Sequence, residues 1–248
     1  MELNIQCLKG DCLELMKTLP DKSIDLFLCD LPYGILNGGA GKEKKKRLEN
    51  GKEGQNITGG CDWDVKINLE LFWIQVKRLC KNDSTPILMF CNTGFGNDLI
   101  NSNKDWFRYD LVWNKDVGTN FLAANKKPMS SHEMIYVFGK KGTFYKRINN
   151  YIEGAKGYNS SGHNGISSIY GNKPRIPSSG EENYRCPLSV VNFRWKRDKR
   201  HPTAKPIDLL KWLIERYSNE GDTILDPTAG SFNSGRAAME LNRNYIGM

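Results

Sequence analysis

The 248 residues contain no run of 18 apolar residues and no apolar leader, so neither a membrane span nor a secretory signal is expected. The seven cysteines, Cys7, Cys12, Cys29, Cys61, Cys80, Cys91 and Cys186, are odd in number, and no pair has CxxC spacing. Cys29 and Cys91 lie inside apolar runs. The pattern reads as reduced thiols in a cytoplasmic protein and not as a disulfide framework or a zinc site. The three histidines, His132, His163 and His201, are too scattered to cluster as ligands, so no metal is expected. There is no internal repeat, and the absence of GxGxxG removes the dinucleotide fingerprint of a nucleotide-dependent oxidoreductase.

What is present is a foldable chain of 39% hydrophobic and 10% aromatic residues, with net charge +8. Its length suits one catalytic α/β domain with an insertion. Short apolar runs at Ile5–Lys9, 24–29, Pro86–Cys91, Tyr109–Trp113, Met134–Phe138, Thr223–Asp226 and Asn244–Gly247 predict seven strands. Between them lie helical spacings: Leu13, Met16 and Leu19 after a capping Asp11; Leu69, Phe72, Val76 and Leu79 after a capping Asn68; Ile207, Leu210, Ile214 and Tyr217 after Pro206; and Gly235–Leu241. Pro206 is expected at the first helical position. Apolar strands alternating with amphipathic helices predict a mostly parallel sheet with helices on both faces.

Ligands of open α/β sheets bind outside the carboxyl ends of the strands. Two such ends carry unusual turns: Asp30-Leu31-Pro32-Tyr33, and Asp226-Pro227-Thr228-Ala229-Gly230-Ser231. Each is also readable as an ordinary strand-ending turn, since Asp, Pro and Gly are common turn residues. Their occurrence together, with a basic insertion between them, favours a functional reading.

The first turn is similar to the Asp-Pro-Pro-Tyr catalytic motif of amino-methylating DNA methyltransferases. The second resembles their cofactor-binding turn, and His201-Pro202-Thr203-Ala204-Lys205-Pro206 resembles the segment just ahead of it. Trp63-Asp64, Phe72-Trp73 and His132-Glu133 extend the resemblance. The motif order is that of the permuted β group, in bacteria or bacteriophages. The resemblance implies a Rossmann-like, seven-stranded, mostly parallel sheet, with a catalytic half at 1–139 containing a mobile loop at 37–62. A target-recognition insertion at 140–200 and a cofactor-binding half at 201–248 complete the expected layout.

The implied activity is methyl transfer from S-adenosylmethionine to the N6 amino group of adenine in double-stranded DNA. Asp30 and the Leu31 carbonyl would accept the amino hydrogens, with Pro32 shaping the turn and Tyr33 stacking on the flipped base. The implied cofactor set is Asp11, Cys12, Asp30, Thr203, Lys205, Pro206, Asp226, Pro227, Gly230 and Ser231. Asp11 reads equally as a plain helix cap, Lys205 as a solvated lysine, Asp30 as a turn cap and Tyr33 as packing on the sheet end. Two departures stand out. Relatives often continue the turn as Gly-x-Gly, where this chain has Gly230-Ser231-Phe232. They also place an acidic residue after the strand that here ends at Gly247-Met248, so weak cofactor binding by the 248-residue form is expected.

Residues 140–205 hold fourteen Lys and Arg against four Asp and Glu, a local excess larger than the net charge of the whole chain. Phe144, Tyr145, Tyr151, Tyr158 and Tyr170 interleave with them, as phosphate contact plus stacking requires. Lys44, Lys45, Arg147, Lys173, Arg175, Arg194 and Lys196 are the expected DNA contacts, against the plain alternative of a solvated surface. Methylation of the cytosine N4 amino group, an RNA substrate and a catalytically impaired DNA-binding module are the alternatives. Asp rather than Ser at position 30 favours adenine. The sequence allows a homodimer and a companion nuclease but points to neither.

Overall fold

The structure is a computed structural model and describes residues 3–34, 64–119, 121–160, 178–196 and 203–248. The loop 37–62 with Lys44 and Lys45, and Cys61, Lys173 and Arg175, lie outside the described residues.

In chain order the elements are β1 (Ile5–Cys7), α1 (Cys12–Lys17), β2 (Leu26–Cys29), α2 (Leu69–Leu79), β3 (Ile87–Cys91), α3 (Thr93–Ser102), β4 (Phe107–Thr119), β5 (Ser130–Phe138), β6 (Asn150–Tyr151), β7 (Tyr158–Ser160), β8 (Ser178–Gly180), β9 (Tyr184–Arg185), β10 (Val190–Asn192), α4 (Ile207–Tyr217), β11 (Thr223–Asp226), α5 (Asn233–Glu240) and β12 (Asn244–Gly247). The chain divides into two compact units. Residues 1–145 and 190–248 form the larger, and 146–189 the smaller.

The larger unit is built on an eight-stranded sheet of order β1-β12-β11-β2-β3-β5-β4-β10. Every pairing is parallel except those of β5, which runs against both β3 and β4. All seven anticipated strands are present. The eighth, β10, is a short edge strand beside β4, so the count of seven is one too few.

β2 and β3 are buried along their whole length, and their side chains alternate between two cores. Phe27, Cys29, Ile87, Met89 and Cys91 pack with the α1, α2 and α3 residues Met16, Phe72, Val76 and Leu99. Leu26, Leu28, Leu88 and Phe90 pack with Leu210, Leu213, Ile214 and Ala238 of α4 and α5. Burying each large apolar side chain is worth about 1.5–3 kcal/mol, so this two-sided alternation fixes the register of the central strands.

Asn68 caps α2, its side chain accepting the Leu71 amide. Pro206 is the N-cap of α4 with φ −60° and ψ 135°, one place earlier than the first helical turn expected of it. α5 begins at Asn233, two residues before the Gly235 start read from spacing. From β2 the chain crosses through α2 to β3 on one side. From β11 it crosses through α5 to β12 on the other. The switch point lies between β2 and β11, which opens a crevice at their carboxyl ends.

The smaller unit consists of two two-stranded antiparallel ladders, β6 with β9 and β7 with β8. The Tyr151 and Tyr184 rings meet edge to face at 5.7 Å on the first ladder.

Candidate active site at the carboxyl edge

Asp30 follows the last residue of β2, where the sheet ladder ends and the chain must turn. Its carboxylate is engaged at both oxygens: the Tyr33 hydroxyl donates to Oδ1 at 3.0 Å and the Lys205 ammonium to Oδ2 at 2.5 Å. The turn is pinned from below by Leu31, which is buried in the core. Gly34, at φ +70°, donates its amide to Oδ1 of the buried Asp64 at 2.9 Å. A Cβ at Gly34 would lie 2.7 Å from Cγ of Lys66, so both backbone conformation and space call for glycine. The Tyr33 ring stacks on Phe95 of α3, with centroids 5.1 Å apart. One ring face is thereby used in packing. Burial first, and then the Asp30 charge, push the Tyr33 hydroxyl well above its ordinary pKa, so it stays protonated and donates.

Lys205 is largely buried, its side chain 10% exposed, and sits between two carboxylates. Besides Asp30, its Nζ lies 3.5 Å from Oε2 of Glu133 and 5.1 Å from the centroid of the Phe90 ring. Glu133 in turn pairs through Oε1 with Lys115 at 2.5 Å, and Lys115 rests over the Trp113 ring. Asp30, Lys205, Glu133 and Lys115 thus form an alternating chain of charge across the ends of β2, β5 and β4. Burial works against the charged form of Lys205, but Asp30 and Glu133 outweigh it and its pKa is raised. Burial likewise opposes ionisation of Glu133, and the two lysines overcome it, so its pKa is lowered. Glu133 and Lys205 thus stabilise each other's charged forms.

The second turn leaves β11 at Asp226. This carboxylate is buried, accepts the Thr228 amide at 3.1 Å and the Ser234 hydroxyl at 2.5 Å, and lies next to a Ser234–Tyr245 hydrogen bond of 2.8 Å. Burial dominates those two bonds and lifts its pKa to about 7. The backbone of Met248 braces the turn, donating to Asp226 O and accepting from the Ala229 amide. Gly230 has φ +50° and Phe232 φ +56°. Phe232, where the resemblance led to the expectation of a second glycine, thus takes a left-handed backbone at a cost of about 1–2 kcal/mol.

These two turns open on one cleft. It is lined by Asp30, Thr203, Lys205, Asp226, Gly230 and Ser231, joined by Leu28, Phe90, Ala204, Leu210, Thr228, Ala229, Asn233 and Ser234. The remaining residues singled out from sequence fall elsewhere. Asp11 caps α1, its carboxylate accepting the Leu13 and Glu14 amides. Cys12 is the first residue of that helix, with its thiol pushed up to about 11 by burial and then by Asp11. Neither lines the cleft, and nor do Pro206 and Pro227. Arg147 is exposed in the smaller unit, and Arg194 and Lys196 are exposed just after β10 in the larger one.

Sequence reading missed Lys115 and gave no role to Glu133, Phe90, Asn233 or Ser234. The available signal was a lysine and a glutamate beside the apolar runs of two strands that pair with each other. Only the β4–β5 register, with Trp113 opposite Glu133, brings them together.

The pattern of the DNA methylase family matches residues 24–248. The chain is 28% identical to the DNA adenine methyltransferase YhdJ of Escherichia coli strain K12, over 96% of this chain and 76% of that protein. It is 31% identical to the type II methyltransferase M.HinfI of Haemophilus influenzae, over 97% of this chain and 63% of that protein. The chain thus spans about three quarters of one relative and less than two thirds of the other. Among solved structures, the cytosine-N4-specific PvuII DNA methyltransferase shares the fold with a TM-score of 0.63 at 16% identity, covering 98% of this chain and 81% of that one. The M1.HpyAVI–SAM complex gives 0.57 at 20% identity, covering 98% and 92%. With nearly the whole larger unit and the cleft inside the matched span, the chain belongs to the DNA methylase family.

Proposed function

We propose that this chain transfers a methyl group from S-adenosylmethionine to the N6 amino group of adenine in double-stranded DNA, as a site-specific enzyme of the permuted β group. The observation that carries the proposal is the meeting of Asp30 and the Gly230 turn, from opposite ends of the sequence, in one cleft. The adenine methyltransferase relative, aligned over nearly the whole chain, supports the choice of base.

The cleft fits the cofactor. Two lining atoms, Thr228 Oγ1 and Asn233 Oδ1, are buried without a hydrogen-bond partner among the described residues, which polar ligand groups would satisfy. Asp226 and Asp30 offer negative charge to a ligand that carries a sulfonium and an ammonium, and Leu28, Phe90 and Leu210 supply apolar wall. Bound there, S-adenosylmethionine supplies a methyl group on a sulfonium, an excellent leaving group.

Everything else falls to the protein. The adenine amino nitrogen is a weak nucleophile because its lone pair is delocalised into the ring. Asp30 and the Leu31 carbonyl each accept one amino hydrogen, which lets the nitrogen pyramidalise and aims its lone pair. Lys205 and Tyr33 hold the Asp30 carboxylate in place, and a carboxylate with about four lone-pair sites retains capacity for the substrate. Placement and preorganised acceptors, not covalent chemistry by the protein, lower the barrier. Tyr33 offers the flipped base a ring edge or its second face. Asp11 is kept as a helix cap. Arg147, Arg194, Lys196 and, outside the described residues, Lys44, Lys45, Lys173 and Arg175 are the proposed phosphate contacts. The unit 146–189 is the proposed core of target recognition.

The test is incubation of DNA of varied sequence with methyl-labelled cofactor, followed by modified-base sequencing. N6-methyladenine at a defined site is the expected product. N4-methylcytosine would transfer the same chemistry to the other base, and no incorporation on any DNA would end the proposal.

A further inference from the structure

β4 and β5 form a hairpin that outruns the rest of the sheet. Cys91, the last residue of β3, pairs with Met134, and β5 continues four residues further back to Ser130. Phe90, close to the level of Asp30, pairs with Ile135. Five residues of β5 therefore project past Asp30, about 17 Å at about 3.4 Å per residue. They leave from the same carboxyl edge as the cleft, two strand spacings from β2.

The tip is apolar and exposed. Phe121 is 73% and Leu122 88% accessible, and they stand on a turn ordered by its own backbone bonds, Ala124 N–H to Phe121 O and Lys126 and Lys127 N–H to Ala123 O. Met129 lies across Gly118, and the Thr119 hydroxyl donates to Ser130 O, which ties the two strands below the tip. Phe121 and Leu122 contribute nothing to either core. Beside them are the exposed Lys126 and Lys127, and Asp116 is the one acidic residue between 116 and 132. Apolar side chains at the end of a hydrogen-bonded hairpin flanked by lysines match a polyanion whose interior is apolar: stacked DNA.

We infer that Phe121 and Leu122 are a wedge that fills the gap left in the duplex when a base swings into the Asp30 cleft. The inference rests on the DNA-methylating reading of that cleft. Extruding a base costs a few kcal/mol of stacking and pairing. Phe and Leu are side chains that insert between base steps and offset such a loss. Lys126 and Lys127 hold the flanking phosphates.

The test replaces both tip residues, Phe121→Ser with Leu122→Ser; their exposure leaves the fold untouched. Two duplexes carry the site mapped by modified-base sequencing, one intact and one with an abasic position opposite the target base, where unpairing is already complete. The wedge predicts that kcat/KM on the intact duplex falls about tenfold or more, while on the abasic duplex it stays within about twofold of the wild type. The fluorescence rise of 2-aminopurine at the target position shrinks in parallel. Unchanged rates on the intact duplex, or equal losses on both, overturn the wedge while leaving the methyltransferase reading standing. A change in sedimentation of the variant also overturns it, by making the tip a contact between copies of the chain. A wild-type chain inactive on every duplex overturns the reading itself and the wedge with it.

Discussion

Glu133 touches two lysines and is the hinge of the charge chain behind Asp30. Replacing it by Gln leaves Lys115, itself buried, without a counter-charge. Breaking one partner out of a buried ion pair costs about 3–5 kcal/mol. The Glu133→Gln variant is therefore expected to unfold at lower denaturant concentration by an amount in that range. Adding Lys115→Met to it should recover most of the loss, because Asp30 and Lys205 then remain a neutral pair; a double variant as unstable as the single one contradicts the pairing. Asp226 behaves oppositely. Its folded pKa of about 7 stands above the ordinary 3.8, so the folded state keeps a proton that the unfolded chain sheds. Its contribution to stability is present below the ordinary value and is lost as pH rises through about 7. Melting curves of the wild type should fall across that window more steeply than those of Asp226→Asn. A cationic ligand in the cleft favours the ionised carboxylate, so cofactor affinity should rise over the same window in the wild type and be flat in the variant.

α5 reaches its sheet through a glycine. A Cβ at Gly235 would lie 2.8 Å from Cε1 of Tyr245, a ring fully buried and tied by its hydroxyl to Ser234. Gly235→Ala should cost about 1–3 kcal/mol of stability through overpacking, despite the better helix propensity of alanine; a variant melting at or above the wild-type temperature contradicts this close contact. The same element marks where sequence reading succeeded and stopped. β2 and β3 were legible because strands buried on both faces are continuous apolar runs. α3 was not, since Thr93-Gly94-Phe95-Gly96 breaks helical spacing and the helix is held instead by the Asn92 cap and by Phe95 and Leu99 in the core. β10 was not, because only Val191 of its three residues is buried. The start of α5 shifted because Phe232 turns left-handed ahead of it. In the cleft, Asp30, Lys205, Asp226 and Gly230 were legible because each belongs to a contiguous turn or segment. Glu133 and Lys115 acquire meaning only through the register of two paired strands, which local spacing does not encode.

Under the proposed function, a net charge of +8 with exposed Arg147, Arg194 and Lys196 would make DNA affinity a counterion effect at the scale of the whole molecule. Each phosphate contact adds about 0.9 to the slope of log affinity against log salt. Replacing Arg194 and Lys196 together by Gln should lower that slope by about two, and an unchanged slope removes them from the DNA interface. The larger claim joins the two ends of the sequence. Under the proposed function residues near 30 would accept the amino hydrogens and residues near 230 would hold the cofactor, and the sheet sets them side by side. The most direct measurement is mass spectrometry of nucleosides from DNA treated with wild type or Asp30→Ala, paired with calorimetry of cofactor binding to each. The account predicts N6-methyladenine from the wild type, a loss of about a hundredfold or more in the variant, as removal of a preorganised polar partner entails, and cofactor binding that is weakened by loss of the Asp30 charge but still measurable. Undiminished N6-methyladenine from the Asp30→Ala protein would contradict it.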